Sequence, residues 1–95
     1  MTTDAPIILY GTTWCADCRR AQRVLELNQV PFTYINIEQD EAAAAYVVAI
    51  NHGNRSVPTI VFPDGSILVE PSNTALQAKL AHQSANSAAP TPADS

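Results

Sequence analysis

The sequence contains little positive charge. Lys and Arg together number five against nine Asp and Glu, which gives a formal net charge of −4. A nucleic-acid-binding domain needs a basic stripe that neutralises phosphates, and a protein held at a membrane surface needs a polybasic face. We therefore expect neither a nucleic acid nor a membrane among the partners.

Long apolar runs are also missing. The first ten residues hold no Lys or Arg, and their one apolar run, residues 7–10, is far shorter than the hydrophobic region of a secretion signal. No stretch approaches the roughly 20 apolar residues of a membrane span. These observations predict a soluble, cytoplasmic protein, which we expect to be a monomer.

Cysteine is scarce, with only Cys15 and Cys18 present. In a reducing compartment two such cysteines are more often catalytic than structural, and a disulfide closing so small a loop adds little chain entropy. Half of a zinc site is a further alternative, but the other half is missing because His52 and His82 are too far apart for the usual spacing.

Hydrophobic spacing predicts a single α/β domain over residues 1–83 with the order β-α-β-α-β-β-α. The expected strands are residues 6–10, 32–37, 59–62 and 67–69, and the expected helices are residues 15–28, 42–50 and 71–83. If strands joined through a helix run parallel and strands joined by a hairpin run antiparallel, the result is a four-stranded mixed sheet with helices on both faces. Residues 84–95, which lack large apolar side chains, are expected to form a disordered tail.

Three acidic residues, Glu38, Asp40 and Glu41, precede the second predicted helix. Negative charge at a helix start is favourable because it complements the helix dipole. We therefore expect all three to serve the beginning of that helix.

The two cysteines stand where the first strand gives way to the first helix. Positions i and i+3 share one helix face, so the two sulfurs can approach bonding distance. Cys18 lines up with the apolar stripe that contains Ala21 and Leu25, whereas Cys15 is expected at an exposed tip. Attack is therefore expected from Cys15, with Cys18 as the resolving partner.

A nucleophilic cysteine must be a thiolate. Unpaired backbone N–H groups at a helix start stabilise that anion, and Arg19 and Arg20 could assist if their side chains turn back. Asp17 opposes them, because a carboxylate between the two sulfurs repels negative charge. We expect the resulting stabilisation of the Cys15 thiolate to be moderate.

A second element is Val57-Pro58-Thr59, in which Pro58 directly precedes a predicted strand. A proline that enters a strand and lacks a backbone donor is by itself a sufficient explanation. Whether the peptide bond before Pro58 is cis does not follow from the residues alone.

Taken together, these motifs resemble the glutaredoxin family. The resemblance rests on Trp14 and the Cys-x-x-Cys motif at the first strand–helix turn, on the Val-Pro-Thr segment, and on Asp64-Gly65 before the last helix. Within the family, residues 53–59 together with Pro71-Ser72 look most like the mycoredoxins of actinobacteria. The resemblance spans residues 7–80 and implies a thioredoxin fold and a thiol–disulfide oxidoreductase.

The resemblance also implies a set of binding features. The peptide bond before Pro58 would be cis, and the Val57 backbone would pair with the substrate like an added strand. The substrates would be proteins carrying mixed disulfides, and the electrons would come from mycothiol as a low-molecular-weight co-substrate. Neither a bound cofactor nor a metal is implied.

Two departures from the family pattern bear on the small thiol. Asp17 stands where relatives carry an aromatic residue, and Pro71-Ser72-Asn73 replaces the Gly-Gly pair of glutathione-using members. Mycothiol lacks the two terminal carboxylates of glutathione, so a site with few cations suits it better.

The remaining substrate-binding candidates have competing explanations. Trp14 either walls the substrate groove or packs under the first helix, and Arg55 either holds a hydroxyl or carboxylate of the substrate or is simply solvated. Thr59 and Ser72 either contact a bound thiol or serve as strand filling and as a helix N-cap, respectively. Asp17 completes this set because of its place between the cysteines.

Two other functions remain open. The protein could be a dithiol electron donor that thioredoxin reductase recycles, of the type that serves ribonucleotide reductase. It could also carry an iron–sulfur cluster that the attacking cysteine and external thiols bridge.

Overall fold

The computed structural model describes residues 6–88, and these form four strands and three helices in the predicted order. The strands are β1 (Ile7–Gly11), β2 (Phe32–Asn36), β3 (Thr59–Val61) and β4 (Ile67–Val69). The helices are α1 (Ala16–Leu27), α2 (Glu41–Ile50) and α3 (Asn73–Ala88). The predicted fold class is confirmed.

The four strands form one sheet in the order β2-β1-β3-β4. β1 runs parallel to β2 and antiparallel to β3, and β3 runs antiparallel to β4. The expectation that helix-linked strands are parallel is therefore right for β1 and β2 but wrong for β2 and β3. Residues 51–58 after α2 carry the chain back to the edge where β2 ended. As a result Thr59, at the start of β3, pairs with Tyr10 near the end of β1.

The two faces of the sheet are covered by different helices. Strand alternation directs Ile7 and Leu9 toward the face under α1 and α3, and Tyr10 toward the face under α2. Burial on both faces agrees with the continuously apolar sequence of β1. The larger core joins the buried side chains of β1, α1, β3 and α3, namely Ile7, Leu9, Cys15, Cys18, Ala21, Val24, Leu25, Ile60, Phe62, Leu76 and Leu80.

Side chains cap the starts of the second and third helices. Asp40 Oδ1 accepts a hydrogen bond of 2.9 Å from the Ala43 N–H at the start of α2. Ser72 Oγ accepts one of 3.0 Å from the Ala75 N–H at the start of α3. The hydroxyl of Ser72 is thus used as a helix cap, which was one of its two expected roles.

The third helix is longer than expected. It continues through residues 84–88, which the sequence had assigned to a disordered tail. The helix thus runs past Leu80, which is buried in the core. The rest of the expected tail, residues 89–95, lies outside the described residues. Within residues 6–88 no helix has the length and apolar character needed to cross a bilayer.

Candidate active site

Cys15 is the N-cap residue of α1. Its backbone is extended, with φ −83° and ψ 112°, and its Sγ accepts a hydrogen bond of 3.1 Å from the Cys18 N–H. The sulfur therefore occupies the position that Ser, Thr or Asp oxygens usually take at a helix start. The start of α1 thus presents backbone N–H groups and the positive end of the helix dipole beside this sulfur.

The exposure of Cys15 differs from the expectation. Only 7% of the residue is accessible, whereas the sequence suggested an exposed tip. The capping hydrogen bond explains the difference, because it turns the sulfur toward the helix backbone and away from solvent. A disulfide substrate must therefore approach closely to reach it.

Cys18 is fully buried in the larger core. Burial, and then the adjacent Cys15 sulfur, raise the pKa of the Cys18 thiol to about 12, although the Thr12 N–H and the Tyr34 hydroxyl act to lower it. Both cysteines are free thiols. The contrast between a helix-capping sulfur and a buried thiol supports attack by Cys15 and resolution by Cys18.

The charged side chains at the start of α1 all have partners within the protein. Arg20 Nη2 lies 3.2 Å from Asp17 Oδ1, and Arg19 Nη2 donates a hydrogen bond of 2.8 Å to the Thr13 carbonyl. The cation of Arg20 offsets part of the Asp17 charge, so the repulsion that Asp17 exerts on a thiolate is weaker than its sequence position suggests.

The Val57–Pro58 peptide bond is cis, as the family resemblance implied. The adjacent Thr59 is fully buried, and its Oγ1 donates a hydrogen bond of 2.7 Å to the Ser56 carbonyl. The same oxygen accepts one of 3.1 Å from Asn51 Nδ2 at the end of α2. The Thr59 side chain therefore supports the segment from beneath, which favours the strand-filling interpretation over contact with a bound thiol.

A groove lies between the first strand–helix turn and the Val57 segment. Its volume is about 270 Å³. Trp14 is 66% exposed, which excludes packing under α1 and makes it a wall of this groove. The lining residues come from three separate parts of the chain and are Thr12, Trp14, Ile37, Glu38, Arg55 and Val57.

Glu38 lies in the groove, although its place in the sequence predicts a role at the start of α2. It does not cap α2, because Asp40 does so. Instead its Oε2 accepts a hydrogen bond of 2.8 Å from Trp14 Nε1. The parallel pairing of β1 with β2 could have indicated this position for Glu38. The carboxyl ends of neighbouring parallel strands lie at one edge of a sheet, so the residues that follow β1 and β2 come close together.

Thr12 is a second groove residue that the sequence patterns did not indicate. It is only 3% exposed, and its Oγ1 is buried without a hydrogen-bond partner although the residue lines the groove. Buried hydroxyls normally have a partner in the protein, in water or in a ligand. Sequence offers little to distinguish this threonine from Thr13 beside it.

The described part of the chain contains no group of three or more His, Cys, Asp or Glu side chains that could hold a metal ion. Neither cysteine lines the groove, but Cys15 directly follows the groove residue Trp14 in the sequence.

The sequence matches a known family model. The model of the glutaredoxin family matches residues 7–67. A Mycobacterium tuberculosis protein named as a glutaredoxin is 42% identical over 76 residues, which are 80% of this chain and 90% of the relative. Mycoredoxin 1 of Corynebacterium glutamicum is 34% identical over 74 residues, which are 78% of this chain and 91% of the relative.

Solved structures agree with this match. A crystal structure of a thioredoxin-like protein superposes with a TM-score of 0.69 at 26% identity, covering 78% of this chain and 97% of the other. A glutaredoxin from Archaeoglobus fulgidus shares the fold with a TM-score of 0.66 at 24% identity, covering 80% of this chain and 86% of the other. Since the sequence relatives span most of the chain and the thiol pair stands at the helix start, the chain belongs to the glutaredoxin family and is a thiol–disulfide oxidoreductase.

Proposed function

We propose that the protein reduces mixed disulfides between proteins and a low-molecular-weight thiol of the mycothiol type. The observation that carries this proposal is the unequal setting of its two sulfurs. Cys15 caps a helix with its sulfur on a backbone N–H, whereas burial keeps Cys18 protonated by raising its pKa to about 12. Only Cys15 is suited to begin the reaction at neutral pH.

The reaction proceeds by thiol–disulfide exchange. The Cys15 thiolate attacks the small-thiol sulfur of the mixed disulfide, and the substrate protein leaves as a thiolate that takes a proton from solvent. Cys15 then carries the small thiol. A second small thiol frees it and leaves as a symmetric disulfide, or Cys18 displaces the small thiol and forms an internal disulfide with Cys15.

The groove favours a small thiol rich in hydroxyls over one with two carboxylates. Arg55 is the one cation of the groove lining, and Glu38 places a carboxylate beside Trp14. The buried Thr12 hydroxyl beneath the groove has no hydrogen-bond partner among the described residues. Mycothiol offers sugar hydroxyls and lacks the terminal carboxylates of glutathione, and one relative is a mycoredoxin.

The protein part of the substrate would lie across Val57 and Trp14. Val57 stands two residues before β3 with its peptide to Pro58 in the cis form, and its backbone is proposed to pair with an extended substrate strand. The exposed Trp14 ring offers apolar contact beside Cys15. We propose the cytoplasm as the working compartment, because both thiols must be kept reduced.

A side-by-side recycling assay tests the proposal. A mycothiolated model protein is reduced with mycothiol, glutathione or thioredoxin reductase as electron source, using wild type, Cys15→Ser and Cys18→Ser. We expect mycothiol to support the fastest turnover, Cys15→Ser to be inactive, and Cys18→Ser to retain activity.

Other results of this assay would contradict the proposal or favour a different function. Activity that survives Cys15→Ser would overturn the assignment of the nucleophile, and faster turnover with glutathione would overturn the assigned thiol. Turnover with thioredoxin reductase alone, abolished by Cys18→Ser, would identify a dithiol electron donor instead. Visible absorbance after anaerobic purification would point to an iron–sulfur carrier.

A further inference from the structure

Gly11, the last residue of β1, marks the place where Tyr34 of β2 and Cys18 of α1 meet. A Cβ atom at Gly11 would lie 2.6 Å from the Tyr34 hydroxyl oxygen and 2.8 Å from Cys18 Sγ. Any other residue would occupy the space that the hydroxyl and the sulfur share. The glycine therefore lets a phenol reach the resolving thiol.

The Tyr34 hydroxyl is held at this point by Thr12. It donates a hydrogen bond of 2.7 Å to the Thr12 carbonyl. The Thr12 N–H and the Tyr34 hydroxyl both act as hydrogen-bond donors toward an ionised Cys18 sulfur. The hydroxyl has a single hydrogen, so a bond to the sulfur would replace the bond to the carbonyl.

We propose that Tyr34 donates a hydrogen bond to Cys18 during the resolving step, turning its hydroxyl from the Thr12 carbonyl to the sulfur as the sulfur loses its proton. This inference rests on the proposed function, because it concerns the step in which Cys18 displaces the small thiol from Cys15.

The resolving step needs such a donor because Cys18 is a poor acid. Burial raises its pKa, and the neighbouring Cys15 raises it further. Once Cys15 holds the small thiol in a disulfide, its sulfur carries no charge. It then no longer opposes the ionisation of Cys18 electrostatically. Burial still opposes ionisation, and the Thr12 N–H and the Tyr34 hydroxyl are the groups that counter it.

Tyr34 is able to donate throughout the physiological pH range. Burial, and then the charge of an ionised Cys18, raise the pKa of its hydroxyl to about 12, so the phenol stays protonated. The other ionisable groups that act on it are Cys15 and Arg19, and Arg19 lowers its pKa. Arginine remains charged at all relevant pH values, so it adds no pH dependence of its own.

Atoms and electrons balance in this step. Cys18 releases its proton to solvent, and its thiolate attacks Cys15 Sγ. The Cys18–Cys15 bond forms while the bond from Cys15 to the small thiol breaks, and the small thiol leaves with the electron pair and takes a proton from solvent. The two cysteines are oxidised to a disulfide, the small thiol is reduced, and the O–H bond of Tyr34 stays intact.

The test separates the two steps in time. Reduced protein is mixed with bis(2-hydroxyethyl) disulfide, quenched in acid and analysed by mass spectrometry, which distinguishes the mixed disulfide of step one from the internal disulfide of step two. We expect Tyr34→Phe to slow step two about tenfold at each pH between about 6 and 9, and to leave step one unchanged.

The matched control is Tyr10→Phe. Tyr10 lies on β1 and faces the opposite core, where its ring packs 5.3 Å from that of Tyr46. Both steps should be unchanged in this variant. The role of Tyr34 would be overturned if the rate of step two were unchanged in Tyr34→Phe. It would also be overturned if Tyr10→Phe slowed step two as much as Tyr34→Phe does. Absence of the mixed disulfide in wild type would instead overturn the proposed function.

In a second measurement the rate of step two is expected to rise rather than fall. This measurement keeps the test decisive even if the Tyr34→Phe variant folds poorly. Tyr10→Phe and Tyr46→Phe leave Tyr34 as the one tyrosine of the chain, and growth on 3-fluorotyrosine then labels it alone. The fluorinated phenol is more acidic and donates more strongly, so step two should quicken about twofold. An unchanged or slower step two would contradict the proposal.

Discussion

Trp14 Nε1 donates a hydrogen bond of 2.8 Å to Glu38 Oε2, which ties the residue before the attacking cysteine to the turn after β2. The bond fixes the indole as one wall of the groove and places a carboxylate beside it. Glu38 thus contributes both the position of the ring and the negative charge of the site.

Removing that charge should change the preference for the small thiol. Glu38→Gln keeps an acceptor for Trp14 but removes the repulsion of carboxylates. We expect the ratio of kcat/KM for a glutathione mixed disulfide to that for bis(2-hydroxyethyl) disulfide to rise about threefold, as befits a surface charge. The control is Glu26→Gln, because Glu26 lies on the exposed face of α1 and bonds Gln22. An equal ratio in all three proteins would exclude Glu38 as a determinant.

The two thiols should differ greatly in alkylation rate. Because burial raises the pKa of the Cys18 thiol, almost none of it is ionised at pH 7. Brief treatment with iodoacetamide near neutrality should therefore modify wild type and Cys18→Ser once, at Cys15, and leave Cys15→Ser unmodified. Peptide mass spectrometry identifies the labelled residue. Comparable labelling of both sulfurs would contradict the division of roles.

The ion pair between Asp17 and Arg20 should have a small effect of definite sign. Asp17→Asn removes a nearby negative charge and should quicken alkylation of Cys15, whereas Arg20→Gln leaves Asp17 uncompensated and should slow it. Both side chains are about half exposed, at 54% for Asp17 and 48% for Arg20, so we expect each change to be at most about threefold. The rates are read in low salt, and high salt should reduce the difference.

Local sequence patterns account for much of this site. The i, i+3 spacing of Cys15 and Cys18 at a strand–helix junction predicts their proximity, and the family resemblance predicts the cis bond before Pro58. The inward turn of Cys15 could not be predicted in this way, because it depends on a capping hydrogen bond that only the folded helix start provides.

Contacts that depend on the pairing of strands could not be predicted from local sequence patterns. Glu38 reaches Trp14 only because β1 and β2 are parallel neighbours. Tyr34 reaches Cys18 only because Gly11 leaves space between them. The direction of β3 depends on the path that residues 51–58 take after α2, which spacing patterns do not encode.

Acid should destabilise the protein partly through Asp64. Hydrogen bonds from the Ser66 hydroxyl and N–H, together with Lys79, hold the pKa of the Asp64 carboxyl well below its usual range. A lowered pKa means that the stabilisation is present above the ordinary aspartate pKa of about 4 and is lost as the pH falls toward the folded value.

The measurement is the free energy of urea unfolding at about pH 5 and about pH 2.5. Wild type should lose more of it between these two conditions than Asp64→Asn, whereas Glu26→Gln should follow wild type. Equal losses in wild type and Asp64→Asn would exclude the Asp64 hydrogen bonds as a source of acid sensitivity.

Gly11→Ala should destabilise the fold through its new methyl group. The Cβ would lie within 3 Å of the Tyr34 hydroxyl and of Cys18 Sγ, and overpacking of this kind costs about 1–3 kcal/mol. In a Tyr34→Phe background the hydroxyl is gone, so the same substitution should cost less. The free energy of chemical unfolding is measured for wild type, Gly11→Ala, Tyr34→Phe and the double variant. These values give the cost of Gly11→Ala with and without the Tyr34 hydroxyl.

The control for this cycle is Gly65→Ala. Gly65 has φ +89° and no atom near its Cβ position, so backbone strain alone should destabilise it, equally in both backgrounds. Equal costs of Gly11→Ala in both backgrounds would show that the methyl group does not press on the phenol.

Thr12 lines the groove and also contacts groups of the interior. Its N–H acts on Cys18, and its carbonyl accepts a hydrogen bond from the Tyr34 hydroxyl. Its amide resonance in a ¹⁵N spectrum is therefore placed to act as a sensor of two events at once, the ionisation of the inner sulfur and the arrival of a ligand. A titration that followed this one nucleus would show whether an occupied groove and an ionised sulfur are energetically linked.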